Sequence, residues 1–205
     1  MSQQIVLASG NKGKIAEIQA ILSQQAIEVL PQSRFDVPEA DETGSTFIEN
    51  AIIKARHAAK ISGLPAIADD SGLEVDALNG KPGVYSARYA GLPSDDKKNT
   101  LKLLQALENM PAEKRSARFH CVMVFMAHAD DPSPLITHGV WEGCIADQAS
   151  GKNGFGYDPV FYVPDYQCMS AELDSSVKNN ISHRAQALNQ LLPQISEYFS
   201  KLYGH

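Results

Sequence analysis

Residues 46–63 constrain this chain more than any other stretch. Thr46 and Glu49 stand at capping-box spacing, and Ile48, Ala51, Ile52, Ala55, Ala58 and Ala59 recur behind them at helical period. Gly63 stands where such a helix stops, and residues 64–68 follow as a short apolar run of strand length. A capped amphipathic helix leading directly into a buried strand is the building unit of an α/β fold.

The rest of the chain extends that reading. Residues 5–8 form a short strand, the turn Ser9-Gly10-Asn11 follows, and residues 12–24 form a helix with Ile15, Ile18, Ile21 and Leu22 on one face. A strand at 28–30 and a polar loop through 38–44 precede the capped helix. Beyond it, the strand at 64–68 runs into Asp69-Asp70-Ser71-Gly72, residues 73–78 are extended, and 81–93 form a long loop. Residues 95–107 read as a helix carrying Leu101, Leu104 and Leu107. Residues 118–127 and 135–145 read as two long strands, paired as a hairpin around the turn at 130–133. A glycine-rich loop at 151–158, a strand at 160–163 and a helix at 182–192 follow, with Pro193 opening a final helix. Early helix–strand alternation with a hairpin in the middle predicts a mixed, twisted sheet with flanking helices.

A chain of 205 residues, 43% apolar and 20% charged, suits one domain of two lobes spanning residues 1–205. Its net charge of −6 argues against a nucleic-acid polymer as partner, because counterion release rewards a basic surface. A small phosphorylated ligand needs only a few local donors. The start of the chain lacks a basic signal region, and the longest apolar run, 121–127, is too short to cross a bilayer. Cys121, Cys144 and Cys168 are scattered, as suits a reducing cytoplasm.

Three regions carry polar chemistry. Ser9, Gly10, Asn11, Lys12, Gly13 and Lys14 lie between a strand and a helix, where unpartnered helix N–H groups and the helix dipole favour an anion. The spacing matches neither the Walker A nor the Rossmann glycine pattern. Asp69-Asp70 and Asp41-Glu42 offer hard oxygen ligands of the kind magnesium takes, one or two at a time. Because strand side chains alternate faces, one of Asp69 and Asp70 enters a site while the other turns away. Glu49 is accounted for by its cap. Finally, Phe155, Gly156, Tyr157 and Asp158 set aromatic rings in a glycine-rich loop, and Lys178, His183 and Arg184 supply donors downstream. Lysine and arginine only donate, so such a pocket suits the O6 of a 6-oxo purine and penalises the amino group of adenine.

Together and in order, Ser9–Lys14, Thr46-Phe47-Ile48-Glu49-Asn50-Ala51, Ala68-Asp69-Asp70-Ser71-Gly72, Pro82-Gly83-Val84-Tyr85-Ser86-Ala87-Arg88, Gly154-Phe155-Gly156-Tyr157-Asp158-Pro159 and Ser182-His183-Arg184 resemble the inosine triphosphate pyrophosphatase family, over residues 5–192. The resemblance implies a homodimer of two-lobed α/β subunits with a central cleft. It implies magnesium-dependent hydrolysis of nonstandard purine nucleoside triphosphates (ITP, dITP, XTP) to the monophosphate and pyrophosphate. By the same likeness Ser9 to Lys14 and Lys54 hold the triphosphate, and Asp70 is general base and metal ligand. Ser71 contacts substrate, Phe155 to Asp158 enclose the base, and Lys178, His183 and Arg184 read its edge. One departure stands out: the family's usual Glu three residues before Gly44 is Asp41 here, with Glu42 beside it as a second candidate ligand. The rival readings are a pyrophosphatase for modified pyrimidine triphosphates and a nucleotide sensor without turnover.

Overall fold

The computed structural model describes residues 3–22 and 27–204. Seven strands are hydrogen-bonded in the order β2-β1-β3-β4-β5-β6-β7: β1 (Gln3–Ala8), β2 (Ile27–Pro31), β3 (Ala66–Val75), β4 (Ser116–Met126), β5 (Leu135–Ile145), β6 (Phe161–Val163) and β7 (Cys168–Met169). β1 pairs in parallel with β2 and β3, whereas β5–β6 and β6–β7 are antiparallel, so the sheet is mixed. Among the described residues five α-helices accompany it: α1 (Lys12–Leu22), α2 (Phe47–Ser62), α3 (Asp96–Ala106), α4 (Ser175–Ile181) and α5 (His183–Tyr203). Among the described residues no helix is long and apolar enough to cross a membrane.

The chain folds into two compact units, one of residues 1–70, 121–139 and 184–205, the other of 71–120 and 140–183. In the first unit the alternation of strand side chains separates two apolar layers. Ile5, Leu7, Ile67, Cys121, Met123 and Phe125 pack with Ile18 of α1 and with Leu188, Leu191, Ile195 and Phe199 of α5. Their sequence neighbours Val6, Ala8, Ala66, Ala68, Val122, Val124 and Met126 pack instead with Ala51, Ala55, Ala58 and Ala59 of α2. In the second unit a single core gathers Leu73, Val75, Leu103, Phe119, Trp141, Ile145, Tyr157 and Phe161.

Local chemistry fixes both ends of α2. Thr46 Oγ1 accepts from Glu49 N–H at 3.2 Å and Glu49 Oε2 accepts from Thr46 N–H at 2.9 Å, completing the box that opens α2. Gly63 closes the helix at φ 69°, a left-handed conformation that glycine adopts without a Cβ penalty.

Several expectations are corrected. Asp69-Asp70-Ser71-Gly72 lie in the middle of one unbroken strand, β3. Of the leucines expected at 95–107, Leu107 is fully buried and Leu104 packs against the core, but Leu101 is 56% exposed and Leu103 is the further buried one; Ile48 of α2 is also exposed. Pro193 does not begin a helix but lies inside α5, which is continuous from His183. The apolar stripe Leu188, Leu191, Leu192, Ile195 and Phe199 packs on one core through the proline, and that packing offsets the missing hydrogen bond. The expected end of α1 at residues 23–24 lies outside the described residues.

Candidate functional site

In the first unit β3 carries two carboxylates into the interior, Asp69 at 1% and Asp70 at 6% exposure. As successive strand residues they enter different layers. Asp69 meets α1 and α5: Lys14 Nζ lies 2.8 Å and Arg184 Nε 3.8 Å from its Oδ2. Asp70 meets α2: Lys54 Nζ donates to Oδ1 at 2.9 Å, and Asn50 Nδ2 to Oδ2 at 3.3 Å.

Lys54 also donates to Glu42 Oε1 at 2.8 Å, so one ammonium joins two carboxylates. Asn50 is fully buried and accepts from Gly44 N–H at 2.8 Å, which ties the loop before α2 to Asp70. Asp41 is exposed, and its carbonyl accepts from Thr43 N–H at 3.0 Å. Of the two acidic residues left open by the sequence, Glu42 is the one held beside Asp70.

Burial sets the tone of this cluster. It pushes the Asp70 carboxyl up, and Lys54 and Lys14 pull it back only in part, so its pKa stays raised. For Asp69 burial also pushes up, but Lys14, Arg184 and Lys54 outweigh it and hold the carboxyl well below the usual range. Burial opposes the Lys54 ammonium, yet Asp70, Asp69 and Glu42 prevail and raise its pKa.

At the turn before α1, Asn11 Oδ1 accepts from Lys14 N–H at 3.0 Å and Ser9 Oγ accepts from Asn11 N–H at 3.3 Å. Both were expected to bond a ligand. These oxygens cap the first helical N–H groups, which lack intrahelical partners, while an anion would take the Ser9 O–H and Asn11 Nδ2–H donors. Gly10 and Lys12 are exposed, and Gly13 and Lys14 half-buried.

The donor set of Glu42 and Asp70 consists of carboxylate oxygens. That suits a hard cation such as magnesium, which takes one or two carboxylates and completes its shell with water and phosphate oxygens. Among the described residues no group of three or more His, Cys, Asp or Glu converges on a metal position.

In the second unit Ser71 is half-buried immediately after Asp70. The loop at 151–158 folds around Asp158, whose Oδ2 accepts from Phe155 N–H at 2.8 Å and Lys178 Nζ at 2.6 Å, while Oδ1 accepts from Ser170 Oγ at 2.8 Å. Gly154 sits at φ 73°, and a Cβ there would lie 2.0 Å from Asp158 Oδ2, so only glycine allows this approach. Lys178 Nζ lies 5.2 Å from the centre of the Phe155 ring, a cation–π arrangement that covers one face of that ring.

Gly156 N–H donates to Asp96 at 2.8 Å, and Tyr157 Oη donates to the Ser86 carbonyl at 2.8 Å. His183 is 4% exposed and stacked among aromatic rings.

Tyr157 and Asp158, expected to enclose a base, are buried and anchor the loop that carries Phe155 and Gly156. Arg184 was expected to read a base edge; its guanidinium is 2% exposed and held by Glu17 and Asp69 in the first unit. Asn50, Glu17 and Ser170 were not singled out from the sequence. Asn50 had a readable signal: a polar residue beside Ala51 and one turn before Lys54, on the face of α2 whose other members are core alanines.

Comparison with known proteins places this geometry in context. A sequence model of the Ham1 family matches residues 5–194. The chain is 60% identical to a dITP/XTP pyrophosphatase of Vibrio cholerae, covering 95% of this chain and 98% of that one. The solved HAM1 protein of Coxiella burnetii is 58% identical with a TM-score of 0.87, covering 95% of this chain and 98% of that one. The Staphylococcus aureus Ham1 protein is 44% identical with a TM-score of 0.83, covering 95% and 99%.

Proposed function

The chain belongs to the Ham1 family, and from that premise we propose that it hydrolyses nonstandard purine nucleoside triphosphates (ITP, dITP, XTP) to the monophosphate and pyrophosphate. The observation that carries the reading is the buried Asp70 with its raised pKa, held by Lys54 beside Glu42. A carboxylate that burial makes more basic is suited to take a proton from water.

Asp70 orients a water and accepts its proton as the water attacks the α-phosphorus, and pyrophosphate leaves in line. Lys14, Lys54 and the N–H groups at the start of α1 stabilise the charge that grows on the leaving group. Asp70 and Glu42 would hold magnesium, which when bound neutralises phosphate charge and helps align the reacting centre. In the second unit Phe155 presents a stacking face, and Lys178 and His183 supply donors toward O6. The α–β position of cleavage follows from the family resemblance. A cytoplasmic homodimer belongs to the same proposal, and the free thiols of Cys121, Cys144 and Cys168 agree with a reducing compartment.

The test is pyrophosphate release in magnesium, comparing inosine, xanthosine, guanosine and adenosine triphosphates with a modified uridine triphosphate. Inosine and xanthosine triphosphates are expected to be strongly preferred, and Asp70→Asn to abolish turnover while retaining nucleotide binding. Preference for the uridine derivative would favour a pyrimidine enzyme. Stable binding of inosine triphosphate without pyrophosphate release would favour a sensor. Near-normal turnover by the Asn variant with added magnesium would remove Asp70 from the mechanism.

A further inference from the structure

His183 opens α5 with its ring enclosed by aromatic residues of the second unit. Phe119 of β4 stacks on it with ring centres 4.8 Å apart and planes 14° from parallel. Trp141 of β5 lies 6.3 Å from the same imidazole at 18°, and 6.3 Å from Phe119 at 27°. Phe161, fully buried, tilts against both, 4.5 Å from Phe119 and 5.3 Å from Trp141. Three rings therefore share nearly one orientation, and a fourth wedges them.

Such a shelf has a specific consequence for histidine. The outer side-chain torsion of His is broad, so its own bonds do not fix the plane of the imidazole. Both ring nitrogens donate or accept within that plane, and a hydrogen bond weakens steeply as it bends. A donor aimed at a base edge thus depends on whatever fixes the ring, and here a flat aromatic face does so.

We propose that Phe119 is a specificity-determining positioning residue: it holds the plane of His183, backed by Trp141 and Phe161, so that the imidazole presents its edge to a 6-oxo purine. The inference rests on the assignment of His183 to the base. Phe119 itself need not touch the nucleotide.

Discrimination tests it. Phe119→Leu keeps apolar bulk but removes the flat face, whereas Phe119→Tyr keeps the face. The readout is the ratio of kcat/KM for inosine triphosphate over adenosine triphosphate, measured on one preparation so that the folded fraction cancels. Phe119→Leu is expected to lower that ratio roughly tenfold, the upper end of what one aromatic pair contributes, and Phe119→Tyr to restore it. Should the Leu variant not fold, Phe119→Met carries the same expectation. His183→Asn separates the role of the imidazole from that of the aromatic shelf. If it abolishes discrimination while Phe119→Leu and Phe119→Met leave the ratio at its parent value, the shelf does not aim the imidazole and the proposal is overturned. If His183→Asn itself preserves discrimination, the assignment of His183 to the base fails first.

Discussion

Asp70 keeps a raised pKa in the folded protein because burial exceeds the pull of Lys54 and Lys14. A carboxyl that binds its proton more tightly when folded contributes stability below its unfolded pKa, and that contribution is lost as pH rises through the folded value. At neutral pH the ionised Asp70 is therefore a burden on the fold. Asp69 has the opposite sign. Its pKa is lowered despite burial, chiefly by Lys14 and then Arg184, so its contribution is present above the unfolded value and lost as pH falls through the folded one. In metal-free buffer at neutral pH, Asp70→Asn is expected to melt above the parent protein. Asp69→Ala is expected to lose about 3–5 kcal/mol by removing one partner of a buried ion network. Thermal melts of both variants check this, and a lowered melting point for Asp70→Asn would contradict it. The sequence alone disclosed that the two aspartates face different ways, because strand alternation requires it. It could not disclose that Arg184 pairs with Glu17, a partner 167 positions away, nor that the side-chain oxygens of Ser9 and Asn11 serve the turn itself.

Elements were legible wherever a local signal and the tertiary environment agreed. The Thr46–Glu49 box and Gly63 mark the limits of α2 because cap chemistry is a local matter. The helix–strand alternation and the hairpin turn likewise pointed to a mixed sheet. Misreadings arose where long-range packing overrides a local rule. The strand expected at 64–68 continues through Asp-Asp-Ser-Gly to Val75, with Lys14 paired to Asp69 and Lys54 to Asp70 across the packed layers. Pro193 has the sign of a helix start, yet α5 continues because residues on both sides of it pack on one core. The proline is exposed and removes one backbone donor from the helix interior. Pro193→Ala is accordingly expected to stabilise the protein by about 1–3 kcal/mol, given the penalty of proline within helices. Chemical denaturation gives the measurement, and an unchanged or lowered midpoint would mean that α5 already relieves the strain around residue 193.

Over the whole molecule, each unit has its own core, yet β3, β4 and β5 each cross from one unit's residues into the other's. Trp141 is the only tryptophan and lies in the core of the second unit, whereas α1, α2 and α5, which dominate the helical signal, belong to the first. Neither unit can lose its strands without disturbing a strand of the other, so one cooperative transition is expected. Tryptophan emission and far-ultraviolet circular dichroism should give coincident denaturation curves, and separated midpoints would show that the units unfold in turn. The arrangement of Asp69 and Asp70 also bears on how β3 finds its place beside β1, where Leu7 is matched to Ile67 and Ala8 to Ala68. A slip by one residue would exchange alanine for isoleucine between layers, a tolerable misfit. It would also turn Asp69 toward the alanines of α2 and Asp70 toward the leucines of α5, each stranded from its cation. The two charges therefore act as an alignment key that penalises a one-residue slip of this strand in either direction.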